Sequence, residues 1–134
     1  MSGAQDNLFG ELISSYTRAQ AIEDGVLVDV SEPAREAGFR YPVALTRAAW
    51  ELAVAVPEGV TLQDEPGRLL DVLSVLRFAI RCGPSRDKLC FKVKVYRTTE
   101  ERRAKKPSTV TLKSLCGPGD TAEPVITVML PEED

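Results

Sequence analysis

The sequence predicts an α+β fold, with helices packed on one face of a small C-terminal antiparallel sheet. Apolar residues recur at helical spacing in the first two-thirds of the chain, whereas the last third alternates between apolar and polar residues. Threonines and glycines stand where helices of these lengths would begin and end. With 134 residues, of which 43% are hydrophobic, the chain is expected to form a single domain over residues 8–134, after a disordered N-terminus over residues 1–7.

The first predicted elements follow from capping residues. Thr17 can cap a helix over 18–24, because its hydroxyl can accept hydrogen bonds from free N–H groups of the first turn. Gly25 suits the left-handed position that ends such a helix. The β-branched segment 26–30 then predicts an added strand. Before these elements stands a short apolar patch that is expected to cap the core, formed by Leu8, Phe9, Leu12 and Ile13.

Two short helices are expected between residues 31 and 54. Ser31 is expected to cap a helical turn that stops at Gly38, and 39–42 is expected to be a linker, since the residue before a proline avoids helical geometry. Thr46 can cap a second helix over 47–54.

Residues 67–81 make the strongest predicted helix. Its apolar stripe is expected to bury Leu69, Leu73, Leu76 and Ile80, joined by Val72 and Ala79. Charged residues such as Arg68 and Arg77 lie mostly off that stripe. The segment 82–84 ends with glycine and proline, which predicts the end of the helix.

The last third predicts three strands, at about 89–97, 109–115 and 124–130, in one antiparallel sheet. The first alternates apolar and polar residues, as a half-buried strand does. A polar connection over 98–107 and a tight turn over 116–120 separate the strands. Because 125–130 is apolar on both faces, this strand is expected inside the sheet rather than at its edge.

The composition excludes several classes of chemistry. The chain has no histidine, which excludes Ser-His and Cys-His nucleophile pairs and imidazole zinc sites. Its three cysteines, Cys82, Cys90 and Cys116, are too few and too far apart for a four-thiolate zinc site and are expected to be reduced thiols. We therefore predict no enzyme, no catalytic residues, no metal and no cofactor.

No apolar run approaches a membrane span and the start lacks a signal-peptide pattern, so we expect a cytoplasmic protein without membrane contact.

The charge distribution is the strongest functional signal. Residues 86–113 hold ten basic and three acidic residues, a net charge of +7, whereas the remainder holds seven basic and seventeen acidic residues, a net charge of −10. The predicted partner-binding residues on this basic hairpin are Lys92, Lys94, Arg97, Arg102, Arg103, Lys105 and Lys106. Such a hairpin can bind an acidic protein surface or phosphates, or it can be a solvated loop whose charges protect an edge strand from aggregation.

An alternative binding face is acidic and would mimic phosphates. Its predicted residues are Glu23, Asp24, Asp29, Glu32 and Glu36, and Asp64, Glu65 and Asp71 are further candidates if they share one face. Dense opposite charges over 16–47 could also form a polar pocket, although capping and surface ion pairs explain them as well. Trp50, the single tryptophan, is a core residue or, if partly exposed, a contact anchor.

Several runs, at 15–30, 34–39, 42–46, 112–113, 116–120 and 123–134, make the chain resemble a family of small uncharacterised bacterial proteins, a domain of unknown function. The resemblance covers nearly the whole chain. It implies no catalytic residues, and it implies an origin on plasmids, phages and other mobile elements.

These observations lead to two functional hypotheses. The first is a non-enzymatic mobile-element protein that binds and inhibits a host defence complex, of the anti-CRISPR or anti-restriction kind, by steric and electrostatic blocking. The second is a nucleic-acid-binding accessory or regulatory protein that uses the basic 86–113 hairpin. A protein partner is favoured, because few aromatic residues stand near the basic residues to stack on bases.

Overall fold

The computed structural model describes residues 16–58, 60, 63–83 and 87–133. The predicted disordered segment 1–7 and the apolar patch at 8–13 lie outside these residues. The helices are α1 (Arg18–Glu23), α2 (Ser31–Glu36), α3 (Arg47–Ala53), α4 (Glu65–Cys82) and α5 (Thr99–Ala104). The strands are β1 (Leu27–Asp29), β2 (Val43–Thr46), β3 (Lys88–Val95), β4 (Ser108–Pro118) and β5 (Pro124–Met129). The α+β class is confirmed.

The strands form one mixed five-stranded sheet in the order β1-β2-β5-β4-β3. Neighbours pair antiparallel except β2 and β5, which run parallel with Val43 opposite Ile126 and Leu45 opposite Val128. The three predicted C-terminal strands pair antiparallel as expected, and residues 27–29 add the strand predicted over 26–30. The sheet as a whole is mixed rather than antiparallel, because β2 joins β5 in parallel. No strand was expected at β2, which lies between the predicted linker over 39–42 and the predicted helix cap at Thr46, and its residues Val43, Ala44 and Leu45 are buried.

β5 lies in the middle of the sheet, as its two apolar faces predict. Ile126 and Val128 face the main core, and Val125 and Met129 are buried on the opposite face. A strand that buries both faces gains most at an interior position, where β2 and β4 flank it.

The main core lies between one face of the sheet and helices α3 and α4. Leu73 and Leu76 of α4 are 1% and 0% exposed, and they belong to the same cluster as Phe91, Val93 and Leu112 of the sheet. Val72 is buried as predicted and Ala79 packs against the core, whereas Ile80, also expected on the buried stripe, is 44% exposed.

α1 contacts the opposite face of the sheet. The side chain of Thr127 points away from the main core, since its neighbours Ile126 and Val128 belong to it. The Arg18 guanidinium donates to Thr127 Oγ1 at 2.7 Å and to the Ile126 carbonyl oxygen at 2.9 Å. The expectation that all helices lie on one face is thus not confirmed.

Three of the predicted caps are confirmed. Thr17 forms a capping box with Gln20, with Gln20 N–H donating to Thr17 Oγ1 at 3.0 Å and Thr17 N–H donating to Gln20 Oε1 at 2.8 Å. Gly25 follows α1 with a φ of +82°, the left-handed conformation expected there. Ala49 N–H donates to Thr46 Oγ1 at 3.2 Å.

Two predicted boundaries need correction. Ser31 is the first residue of α2 rather than its cap, and Asp29 accepts hydrogen bonds from its N–H and its hydroxyl. The turn predicted over 116–120 lies further along the chain, because β4 continues to Pro118 and the reversal is closed by Gly119 N–H donating to the Glu123 carbonyl oxygen. The Gly119 N–H is therefore used within the turn itself.

We expect Leu73→Ala and Leu76→Ala each to lower the free energy of unfolding by about 2–5 kcal/mol, because each leaves a cavity in the core. Ile80→Ala serves as the matched control on the same helix and should cost less than either, because Ile80 is 44% exposed and its truncation leaves no enclosed cavity. Urea denaturation measures all three. An Ile80→Ala loss equal to the other two would mean that the last turn of α4 is buried.

Candidate functional site

β3 is an edge strand that separates charge from apolar surface. It pairs with β4 on one side, and among the described strands none pairs with its other side. Phe91, Val93 and Val95 are buried against α4. The residues between them, together with Lys88, point to the opposite face and are exposed: Lys88, Cys90, Lys92 and Lys94. The edge therefore offers unpaired backbone groups beside a row of lysines.

The lysines of β3 have no carboxylate across the strand pair. Lys92 lies opposite Thr111, and Lys94 lies opposite Thr109. Two residues along a strand rise about 6.6 Å, so the two ammonium groups project side by side from one face. Neither ammonium group forms an ion pair with any described residue.

The connection from β3 to β4 is a helix, where the sequence was expected to form a polar loop. Glu101 N–H donates to Thr98 Oγ1 at 3.0 Å, which caps α5, and Lys105 ends it with a φ of +56°. Glu100 and Glu101 lie in the first turn, and Arg102 and Arg103 in the last, as the helix dipole favours. The Thr-x-x-Glu spacing at 98–101 is the signal that would have predicted this helix.

Glu101 fixes the helix to both strands. Its carboxylate accepts from the Ser108 hydroxyl at 2.6 Å and from Arg97 N–H at 2.8 Å. These hydrogen bonds hold the pKa of Glu101 below its ordinary value, and the one from Ser108 has the largest effect. The carboxylate therefore stays ionised and sets the direction in which the basic end of α5 projects.

The cations of the predicted hairpin are brought together on this scaffold. The Arg102 guanidinium lies over the Tyr96 ring, 5.6 Å from its centroid, which orients Arg102 and covers that ring. Arg97, Arg103, Lys105 and Lys106 are exposed, and none forms an ion pair within the part of the chain that the structure describes. We call the basic surface the set formed by Lys88, Lys92, Lys94, Arg97, Arg102, Arg103, Lys105 and Lys106.

Two further cations are buried, and sequence reasoning missed both. Lys113 is 5% exposed, and its ammonium donates to the carbonyl oxygens of Pro131 and Glu133. It belongs to the fold, because it ties β4 to the C-terminal segment. A lysine in an alternating strand carries no sequence signal that tells whether it is buried within the fold or exposed on the basic surface.

Arg68 is the second buried cation, 4% exposed near the start of α4. It donates to the carbonyl oxygens of Ala53 and Tyr96, each at 3.3 Å, and so joins the end of α3 to the end of β3. Burial is the main cause that lowers the pKa of Arg68, and the positive charge of Arg97 lowers it further. None of the described residues accepts a hydrogen bond from its Nη2. Arg68 therefore anchors the segment from which the basic surface projects.

The structure gives local roles to two of the five predicted acidic residues. Asp24 accepts from the Tyr16 hydroxyl at 3.0 Å, and Asp29 accepts from Ser31. Glu32 and Glu36 are exposed and one turn apart on α2. Glu23 is exposed at the end of α1. A phosphate-mimicking face built from all five stays a prediction.

The polar residues over 16–47 form local hydrogen bonds with one another and contacts with other parts of the chain. Asp120 accepts from the N–H groups of Arg18 and Ala19 at 2.8 and 3.0 Å, so the β4–β5 turn caps α1. Arg47 pairs with Glu51 at 3.7 Å, both exposed. These contacts are capping and surface pairing, which the charge pattern also allowed.

Across the described residues, no group of three or more cysteine, aspartate or glutamate side chains is placed to hold a metal ion. None of the helices described is both long enough and apolar enough to cross a bilayer.

Comparison with known proteins gives one match. A family model described as a family of unknown function (DUF6573) matches residues 6–134. No curated protein and no solved structure matches the chain.

Glu101→Gln should lower the melting temperature at neutral pH, because the amide nitrogen of glutamine cannot accept the hydrogen bonds that the carboxylate receives. The pKa of Glu101 is lower in the folded chain than in the unfolded chain. The carboxylate therefore contributes to the free energy of unfolding above the ordinary glutamate pKa, and this contribution is lost as the pH falls through the lower, folded pKa. The gap between wild type and variant should therefore narrow below about pH 4. Thermal unfolding followed by circular dichroism across pH 7 to 3 measures it, and a gap that widens on acidification would contradict the assignment.

Proposed function

The chain belongs to DUF6573, a family of unknown function, and on that premise we propose that it is a non-enzymatic binding protein. Its basic surface docks on an acidic segment of a partner protein. The observation that carries this proposal is the placement of eight cations, none paired with a described carboxylate, on and beside an open sheet edge.

The edge favours an extended partner segment. Backbone groups on the free side of β3 can pair with an added strand, and the lysines beside them attract carboxylates on that strand. The same lysines disfavour the pairing of β3 with β3 of a second copy, because two such rows repel. The edge thus selects its partner by charge.

A protein partner is favoured over nucleic acid because the surface lacks a stacking platform. Arg102 covers the Tyr96 ring, and Phe91 is buried on the other face of β3. The neighbours of the lysines on β4 are threonines. Binding of nucleic acid would therefore rest on phosphate contacts alone.

The most specific form of the proposal is that the partner is a host defence complex, which the protein inhibits by covering an acidic surface. It rests on the resemblance to mobile-element proteins, and the small size of the domain supports it, since a blocking protein needs only one docking surface.

The test uses Lys92→Glu/Lys94→Glu against a matched control, Arg35→Glu/Arg40→Glu. All four residues are exposed, and both double variants change the net charge by the same amount. Reversal keeps the edge charged, so protection against aggregation is retained while attraction for an acidic partner is lost. Wild type and variants, immobilised, are presented with a nuclease-treated bacterial lysate, and captured proteins are identified by mass spectrometry.

We expect wild type and the control to retain the same protein after nuclease treatment. The lysine variant should bind that protein about tenfold more weakly or worse, mainly through a slower association rate. Binding by wild type should also fall with added salt. A capture that disappears with nuclease would support the nucleic-acid function instead. Equal capture by both variants would mean that the basic surface is a solvated, protective edge.

A further inference from the structure

α4 exposes an apolar face on the side opposite the sheet. Phe78 is 69% exposed and Leu70 is 54% exposed, although both belong to the helix that builds the core. A phenylalanine this exposed gains little free energy from burial within the single chain. The two residues flank a groove that runs along the helix, and the basic surface contributes no residue to it.

The groove has two adjoining parts. The first has a volume of about 550 Å³ and lies between three helices, with an apolar floor formed by Pro33, Ala37, Trp50, Leu69, Leu70 and Leu73. The second, of about 520 Å³, shares Ala37 and follows the later turns of α4 past Ser74, Phe78 and Cys82. From Glu65 to Arg81 the helix rises about 24 Å, the length of four helical turns.

The charges at the two ends of the groove are opposite. Glu36 and Glu65 line the first part, near the N-terminus of α4. Arg77 and Arg81 line the second part, near its C-terminus. A Cβ on Gly38 would lie 2.6 Å from Arg77 Nε, so Gly38, with a φ of +104°, allows the backbone to approach the guanidinium closely.

We propose that this groove docks an amphipathic helix of a partner protein, antiparallel to α4. The apolar floor fits a stripe at i, i+3, i+4 and i+7 spacing, and Phe78 is the anchor. Acidic residues at the start of the incoming helix meet Arg77 and Arg81, and basic residues at its end meet Glu36 and Glu65. Acidic residues at the N-terminus and basic residues at the C-terminus also stabilise the incoming helix itself, through its own dipole. The dipoles of the two antiparallel helices attract each other.

The test uses two synthetic four-turn helical peptides with the same leucine stripe. The first peptide has glutamates in its first turn and lysines in its last, and the second has the two charged turns exchanged. Fluorescence anisotropy with the full chain measures both. Wild type should bind the first peptide about tenfold more tightly than the second, and Phe78→Ala should weaken that binding about tenfold. Arg77→Glu/Arg81→Glu should abolish the preference.

The controls separate this proposal from other occupants and from the basic surface. Phe78→Ala should leave the melting temperature unchanged, because the side chain is exposed, and Lys92→Glu/Lys94→Glu should leave peptide binding unchanged. The proposal is overturned if the first peptide does not bind, or if both peptides bind equally. It is also overturned if wild type dimerises in analytical ultracentrifugation and Phe78→Ala is monomeric, which would make the occupant a second copy. Tighter peptide binding by Leu12→Glu would likewise overturn it, because the chain's own N-terminal segment would then compete.

Discussion

The central position of β5 is the constraint on which the rest of the structure depends. β5 buries Ile126 and Val128 on one face and Val125 and Met129 on the other, which requires packed material on both sides of the sheet, and the strands on either side pair its backbone groups. β2 fills one side in parallel, and β4 fills the other as the hairpin partner. β4 in turn must carry β3 on its free side, so β3 becomes the edge. The exposed basic surface follows from this order, because a strand at the edge presents both its backbone and its lysines to water.

Three cationic side chains connect the sheet to the elements around it. Arg68 joins the end of α3 to the end of β3, Lys113 joins β4 to the C-terminal segment, and Arg18 joins α1 to β5. Each donates to backbone carbonyl groups of another element. The positive charges of the described residues therefore divide into a set that joins elements of the fold and an exposed set. Only the exposed set is free to bind a partner, and on β3 and α5 it is concentrated by alternation along the strand and by the helix dipole.

Sequence patterns predicted what local chemistry decides and missed what distant contacts decide. The alternation of β3, the interior position of β5 and the caps at Thr17 and Thr46 all follow from neighbouring residues, and the structure confirms them. The parallel pairing of β2, the burial of Arg68 and the helical turn at α5 were missed. The first two depend on partners far along the chain, which periodicity does not encode. The third had a local signal, the spacing of Thr98 and Glu101, that was hidden by the polar composition of the segment. For the basic surface, the residue types were predictable, but their freedom from carboxylates depends on the fold.

The two exposed surfaces are of different kinds: a charged strand edge on β3 and an apolar groove along α4. A strand edge binds through backbone pairing, so its use has a direct signature in amide hydrogen exchange, which slows where an N–H gains a partner. The decisive measurement is exchange across β3 in the free chain and in the complex with the protein it captures. The account predicts slowed exchange over residues 88–97. Unchanged exchange there, with slowing confined to α2 and α4 or to the acidic residues of 23–36, would contradict it.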